Sequence, residues 1–174
     1  MKIKLPVLVL LSGAAFISTA ANAADGTINF TGNITAAACT VSPTSASQSV
    51  ALGNISATGF AAAGDTASPT AFGITLTACP ITVSTASAKF DGPGDANNPS
   101  IVALSSGQTA TGVGVAIYES DSSTLVPVGT PSAAKTVTST GPNTLNFIAK
   151  YMSTLGVVNT GSANAVTTFT MMYN

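Results

Sequence analysis

Beyond its first two dozen residues, the chain alternates apolar and polar positions in short segments. Gly26, Ile28, Phe30, Gly32 and Ile34 share one face of the first such segment. Phe72, Ile74 and Leu76 lead into Cys79, and Val113, Val115 and Ile117 form a third stripe. Leu145, Phe147, Ala149 and Tyr151 follow, then Phe169, Met171 and Tyr173. A period of two, carried by β-branched and aromatic residues, is the pattern of a strand, whose successive side chains point to opposite faces. Gly53-Asn54, Gly92-Pro93-Gly94, Asn97-Asn98-Pro99 and Gly141-Pro142-Asn143 lie between the stripes and carry turn chemistry. Thr and Ser are abundant, and Thr suits the solvated face of a strand. No run keeps a 3.6-residue period for three turns, and neither a repeat nor an interdomain linker interrupts the chain. The class expected is all-β, a sandwich.

The two ends of this pattern are informative. The last stripe runs to Tyr173, one residue before the final Asn174, where a sandwich ordinarily continues into a turn and another strand. The first stripe precedes Cys39 with no hairpin partner in front of it. A sheet short of one strand and carrying a spare points to strand addition between molecules.

The first residues change what counts as the folded protein. Lys2 and Lys4 are followed by an apolar run from Leu5 to Phe16 and by the small residues of Ala21-Asn22-Ala23. This is the order of a secretory signal peptide, and the run is shorter than the roughly 20 residues a membrane-spanning helix needs. Residues 1–23 are therefore expected to be a signal peptide cleaved after Ala23, leaving 151 residues, enough for one domain with a real core.

Charge then removes whole classes of partner. The mature chain holds three Lys against six acids, a net charge of −3, with no Arg, His or Trp. So few cations cannot neutralise a phosphate backbone, so no nucleic acid is expected as a partner. Low charge also weakens self-repulsion and favours association. The two cysteines, Cys39 and Cys79, read as one disulfide in an exported protein. Closing that loop contributes roughly 3 to 4.7 kcal/mol in the chain-entropy account. Two distant thiols and no His make no tetrahedral metal set, and the spacing is not that of a C-x-x-C redox pair.

Gly26-Thr27-Ile28-Asn29-Phe30-Thr31-Gly32-Asn33-Ile34, then Ala38-Cys39-Thr40-Val41, resembles the start of type 1 fimbrial subunits (pilins) of the chaperone–usher pathway. Pro142 to Phe147, Ala149 to Met152, and Ala165 to Tyr173 with its penultimate aromatic extend the resemblance over essentially the whole mature chain. The resemblance implies an incomplete immunoglobulin-like β-sandwich lacking its last strand, with a hydrophobic groove in the strand's place. It implies an N-terminal donor-strand extension at 24–38 and a pilin domain at 39–174. Gly26, Ile28, Phe30, Gly32 and Ile34 of one subunit would enter the groove of a neighbour, a mode of strand addition for which the handling of pilins by their chaperones is a known example. Phe169, Met171 and Tyr173 would form a groove wall, and a periplasmic chaperone would pair with this strand and grip the carboxylate of Asn174. The implied partners are other fimbrial subunits, that chaperone and an outer-membrane usher, on a route through the periplasm to a cell-surface fimbrium. The fifteen residues of the extension are nearer the length found in minor and adaptor subunits than in shaft subunits.

No catalytic chemistry is expected. Without His, the Ser-His-Asp and Cys-His arrangements are excluded. Glu119 and Asp121 are expected to decorate a solvated turn. Asp91 to Asn97 superficially resembles a calcium loop, but Pro93 stands at its third position and Val102 where a bidentate Glu is required. Neither metal nor cofactor is expected. The alternative reading is a secreted β-sandwich carbohydrate-binding module, which would need exposed rings such as Tyr118 or Tyr151 for stacking.

Overall fold

The computed structural model describes residues 26, 28–32 and 38–174. The expected signal peptide 1–23, and Ile34 of the first stripe, lie outside the described residues. By its internal contacts the chain divides into Met1–Ile34 and Thr35–Asn174, and every strand among the described residues belongs to the second unit.

That unit is a sandwich of two antiparallel sheets. Strands β1 (Thr40–Val41), β2 (Thr66–Thr77), β6 (Asn143–Ser153) and β4 (Val113–Glu119) form one sheet in the order β1-β2-β6-β4. The other contains β5 (Lys135–Thr136), β3 (Thr85–Asp91) and β7 (Thr168–Tyr173) in the order β5-β3-β7. A single helical turn, α1 (Pro43–Ala46), follows β1, with Pro43 at its start, where a missing N–H costs nothing.

Register turns the sequence stripes into one core. Phe72, Ile74 and Leu76 of β2 lie opposite Phe147, Leu145 and Asn143 of β6, and Val115 and Ile117 of β4 lie opposite Tyr151 and Ala149. Facing them across the sandwich are Ala86, Ala88 and Phe90 of β3. Phe90 and Phe147 are sealed, their ring centroids 5.1 Å apart and nearly perpendicular, the edge-to-face arrangement that aromatic quadrupoles favour. Phe72 packs on both rings but is only half-buried.

Four of the expected stripes are strands at their expected places. Of the longer strands, the one the pattern did not announce is β3, the centre of the smaller sheet. Its inward residues are two alanines and one Phe, so the hydropathy contrast is weak even though the burial alternates perfectly.

The Cys39–Cys79 disulfide is formed, with sulfurs 2.12 Å apart, and ties the start of β1 to the end of β2. Beyond the two residues of β1, the chain stays along β2 by one backbone and two side-chain hydrogen bonds. Ser42 N–H donates to Thr75 O at 2.9 Å, Thr75 N–H to Ser45 Oγ at 3.0 Å, and Ser68 Oγ to Leu52 O. Ser68 sits at a bulge in β2, with φ of 57°, followed by Pro69. The bulge interrupts the ladder and turns the hydroxyl toward the 47–54 segment.

Candidate functional site

An apolar groove of about 1090 Å³ opens between the two sheets. One bank is the segment Ser45–Asn54, and the other runs from Ala163 to Phe169, at the start of β7. Its floor is made by Phe72, Phe90, Val115, Ile117, Ala149 and Tyr151. The half-buried state of Phe72 follows from this opening.

The strand beside the groove is unpaired on that side. β7 is antiparallel to β3, and Asn174 exchanges both backbone hydrogen bonds with Thr85, at 3.0 and 2.9 Å. Hydrogen-bonded and non-bonded pairs alternate along an antiparallel ladder. Met172, Thr170 and Thr168 therefore bond to β3, while Phe169, Met171 and Tyr173 turn their N–H and C=O groups to the outer edge. Among the described residues, no strand pairs with that edge. The opposite bank is similar, since residues 47–54 make no backbone–backbone hydrogen bond among the described residues. An extended peptide lying in the groove would find donors, acceptors and an apolar floor together.

Two tyrosine hydroxyls donate to backbone carbonyls near the two ends of β7. Tyr173 donates its hydroxyl to Cys39 O at 3.3 Å at one end, and Tyr151 donates to Ala163 O at 3.0 Å at the other. Burial pushes both phenols up from their ordinary pKa, as it does that of Tyr118. Tyr118 is buried and lies beneath the Lys150 ammonium, 4.4 Å from its ring centroid. None of the three tyrosines presents a free ring with an uncommitted edge of the kind sugar stacking uses.

The expected site residues separate into three groups. Phe169 lines the groove, whereas Met171 and Tyr173 pack on the main core and contribute the open edge. The backbone oxygen of Asn174 accepts from Ser84 N–H at 2.6 Å, Thr85 N–H at 2.9 Å and Ser84 Oγ at 3.0 Å. Gly26, Ile28, Phe30 and Gly32 are exposed and belong to no strand, Ile28 and Phe30 at 78% and 91% exposure. Missing from the expected set is the bank Ser45–Asn54, whose sequence signal is no more than Val50 and Leu52 before Gly53-Asn54.

One expectation is corrected. Asp121 does serve a solvated turn, its carboxylate held well below the usual range by the Thr124 hydroxyl and then by the N–H groups of Thr124 and Ser123. Glu119 does not. It closes β4 inside the fold, buried, with Oε1 accepting from Ala133 N–H at 2.6 Å. The carboxylate satisfies a backbone donor just before β5 and so bridges the two sheets.

Comparison with known proteins supplies the biological setting. The fimbrial protein family model matches residues 28–174. A type 1 fimbrial subunit of Salmonella typhimurium is 40% identical, over 94% of this chain and 95% of its own length. A Burkholderia pseudomallei antigen and type I fimbria protein of known crystal structure is 36% identical with a TM-score of 0.61, over 85% of this chain and 97% of that one. A chain of a chaperone–usher pilus, solved for the molecular basis of rod uncoiling, is 26% identical with a TM-score of 0.66, over 87% and 96% of the two chains.

Proposed function

The chain belongs to the fimbrial protein family and is a structural subunit of cell-surface fimbriae, and we propose that neighbouring subunits join by donating the 24–38 extension of one to the groove of the next. The observation that carries this reading is the unpaired edge of β7 beside an apolar groove. A strand placed there ladders onto Phe169, Met171 and Tyr173 and covers Phe72 and Val115. It supplies what the exposed edge lacks and removes a template for aggregation.

The donor residues are Gly26, Ile28, Phe30, Gly32 and Ile34 of the preceding subunit. The exposure of Gly26, Ile28, Phe30 and Gly32 in the single chain is the state a donor strand should have before it finds an acceptor. Burying Ile28, Phe30 and Ile34 contributes on the order of 5–9 kcal/mol, an upper range because unfolded chains already bury some apolar area. Gly32 meets the groove where a floor side chain or backbone comes closest. Before polymerisation, a periplasmic chaperone fills the same groove with one of its own strands, with basic residues on the carboxylate of Asn174, and an outer-membrane usher hosts the exchange. The assembled fimbria serves adhesion of the cell to surfaces.

The test uses the chain without residues 1–36. Alone it should aggregate or melt at low temperature, and a synthetic peptide of residues 24–36 should raise its melting temperature substantially. Equal stability with and without the peptide rejects the reading. Replacing Gly32 by Leu in the peptide should abolish the protection, whereas the same change in the full chain leaves that chain's own fold and disulfide intact.

A further inference from the structure

The ends of the sandwich expose aliphatic side chains that the groove does not use. Ile81 is 89% exposed in the turn between β2 and β3, beside Cys79. At the opposite end, Val157 is 69% exposed, Leu155 46% and Ile55 38%. Leu155 and Val157 follow directly on the end of β6. Ile55 and Val158 line a second cavity of about 330 Å³ that opens beside the groove's end at Asn54 and Asn164. Gly112, with φ of +76°, lets Val157 O approach to within 2.4 Å of where a Cβ would stand, which presses this loop onto the body of the sandwich. Residues 53–60, 79–84 and 154–161 contain no charged side chain. These segments therefore bring no charged side chain of their own into such a contact.

We propose that these ends meet in the polymer, with Ile81 of one subunit packed against Val157, Leu155 and Ile55 of the subunit that accepts its donor strand. This rests on the donor-strand reading and adds two constraints. The first is direction. β7 runs from Thr168 toward the Cys39 end of the fold, where Tyr173 reaches Cys39 O and Asn174 bonds Ser84. Antiparallel pairing is the more stable ladder and is the one β7 already makes with β3. A donor antiparallel to β7 enters at the Tyr173 end and leaves at the Asn54–Asn164 end. The second is reach. Four residues separate Ile34 from Cys39, so their Cα atoms lie at most about 18 Å apart. The donor's body must then sit against the acceptor's exit end. The face of that body nearest Cys39 carries the other half of the disulfide, Cys79, and Ile81 two residues on. The contact is heterologous, different patches on the two partners, and so propagates along a filament instead of closing a dimer.

Fimbriae assembled from the full chain provide the test, because the protein has no free cysteine. Chains carrying both Ile81→Cys and Val157→Cys should form filaments whose subunits run as a covalent ladder on non-reducing gels after the donor strand is denatured out. Either substitution alone should give no ladder. Dimers from Ile81→Cys alone would place like ends together, as a parallel donor requires, and would overturn the proposal. Normal filaments of the double variant without cross-links would overturn it too, while leaving the donor-strand reading intact. That reading fails separately if chains lacking residues 24–36 still polymerise. Should the double variant fail to be exported, a photo-reactive amino acid at position 81 gives the same answer. Its adducts must map to residues 55 or 155–158 of the neighbour, and adducts confined elsewhere reject the contact.

Discussion

β4 and β7 are both outermost strands, each paired to one neighbour and each apolar on its inner face. The outer edge of β4 is covered by the chain itself. Val102 exchanges backbone hydrogen bonds with Val115 at 2.8 and 2.9 Å, Val126 N–H donates to Ile117 O at 2.8 Å, and Glu119 N–H donates to Thr124 O at 2.8 Å. Gly114 makes the covering possible, since a Cβ there would stand 2.8 Å from both Ile101 Cδ1 and Val102 O. The outer edge of β7 has no such cover among the described residues and stands beside a groove. Two edges of similar composition thus have opposite fates, and the difference lies in the connecting segments, not in the strands. An open edge is costly in a free protein and useful in one that polymerises.

Changes at the two edges should therefore differ in kind as well as size. The largest effect is expected from Val102→Asp, which buries a charge and uncovers β4, leaving its outer edge as open as that of β7. Loss of more than about 4 kcal/mol, read by urea denaturation of the peptide-complemented domain, is expected for such a change. Replacing Cys39 and Cys79 together by Ala should cost about 2–5 kcal/mol. It should also loosen the Ser45–Asn54 bank, so that protection by the 24–36 peptide falls along with stability. Phe169→Ala sharpens the comparison from the other side. Because Phe169 is half-buried, the empty domain should lose only about 1–2 kcal/mol, against the 3–5 kcal/mol of a sealed Phe. The melting-temperature gain from the peptide should shrink by far more than that, and equal losses in both states would mean that Phe169 is ordinary core.

The smallest effect concerns the end of β7. Tyr173→Phe removes one neutral hydrogen bond to Cys39 O, worth about 0.5–1.5 kcal/mol. It should also flatten the alkaline limb of stability. Burial raises the folded pKa of Tyr173, Tyr118 and Tyr151 above the unfolded value near 10, so the folded state favours the neutral phenol. Their contribution is complete below that unfolded value and is lost as pH rises through the folded ones. Urea midpoints at pH 9 and pH 11 should differ less in the variant than in the parent.

Most of the frame was legible residue by residue. The stripes at 72–76, 113–117, 145–151 and 169–173 are strands β2, β4, β6 and β7, because an alternating strand writes its buried face into its own sequence. The disulfide was legible because two cysteines in an exported chain leave one pairing. β3 escaped because Ala86 and Ala88 bury as completely as valines but contrast little with Ser87 and Thr85. The Ser45–Asn54 bank escaped because two hydroxyls, of Ser45 and Ser68, and the Gln48 amide hold it in place instead of a periodic apolar pattern. Glu119 read as a turn residue because nothing near it in sequence shows that Ala133 N–H, 14 residues on, needs an acceptor.

By itself, then, the sequence determined which face of each strand is apolar, where the chain turns, that it carries an export signal pattern, and which two sulfurs pair. Only the tertiary structure decided which edge stays open. Face is a property of spacing along one strand, whereas an edge is a relation between strands and whatever lies beside them. Val102 covers β4 from 13 residues away, and no residue among those described does the same for β7. The open edge and the groove beside it lie in that relation, and no single stretch of sequence contains them.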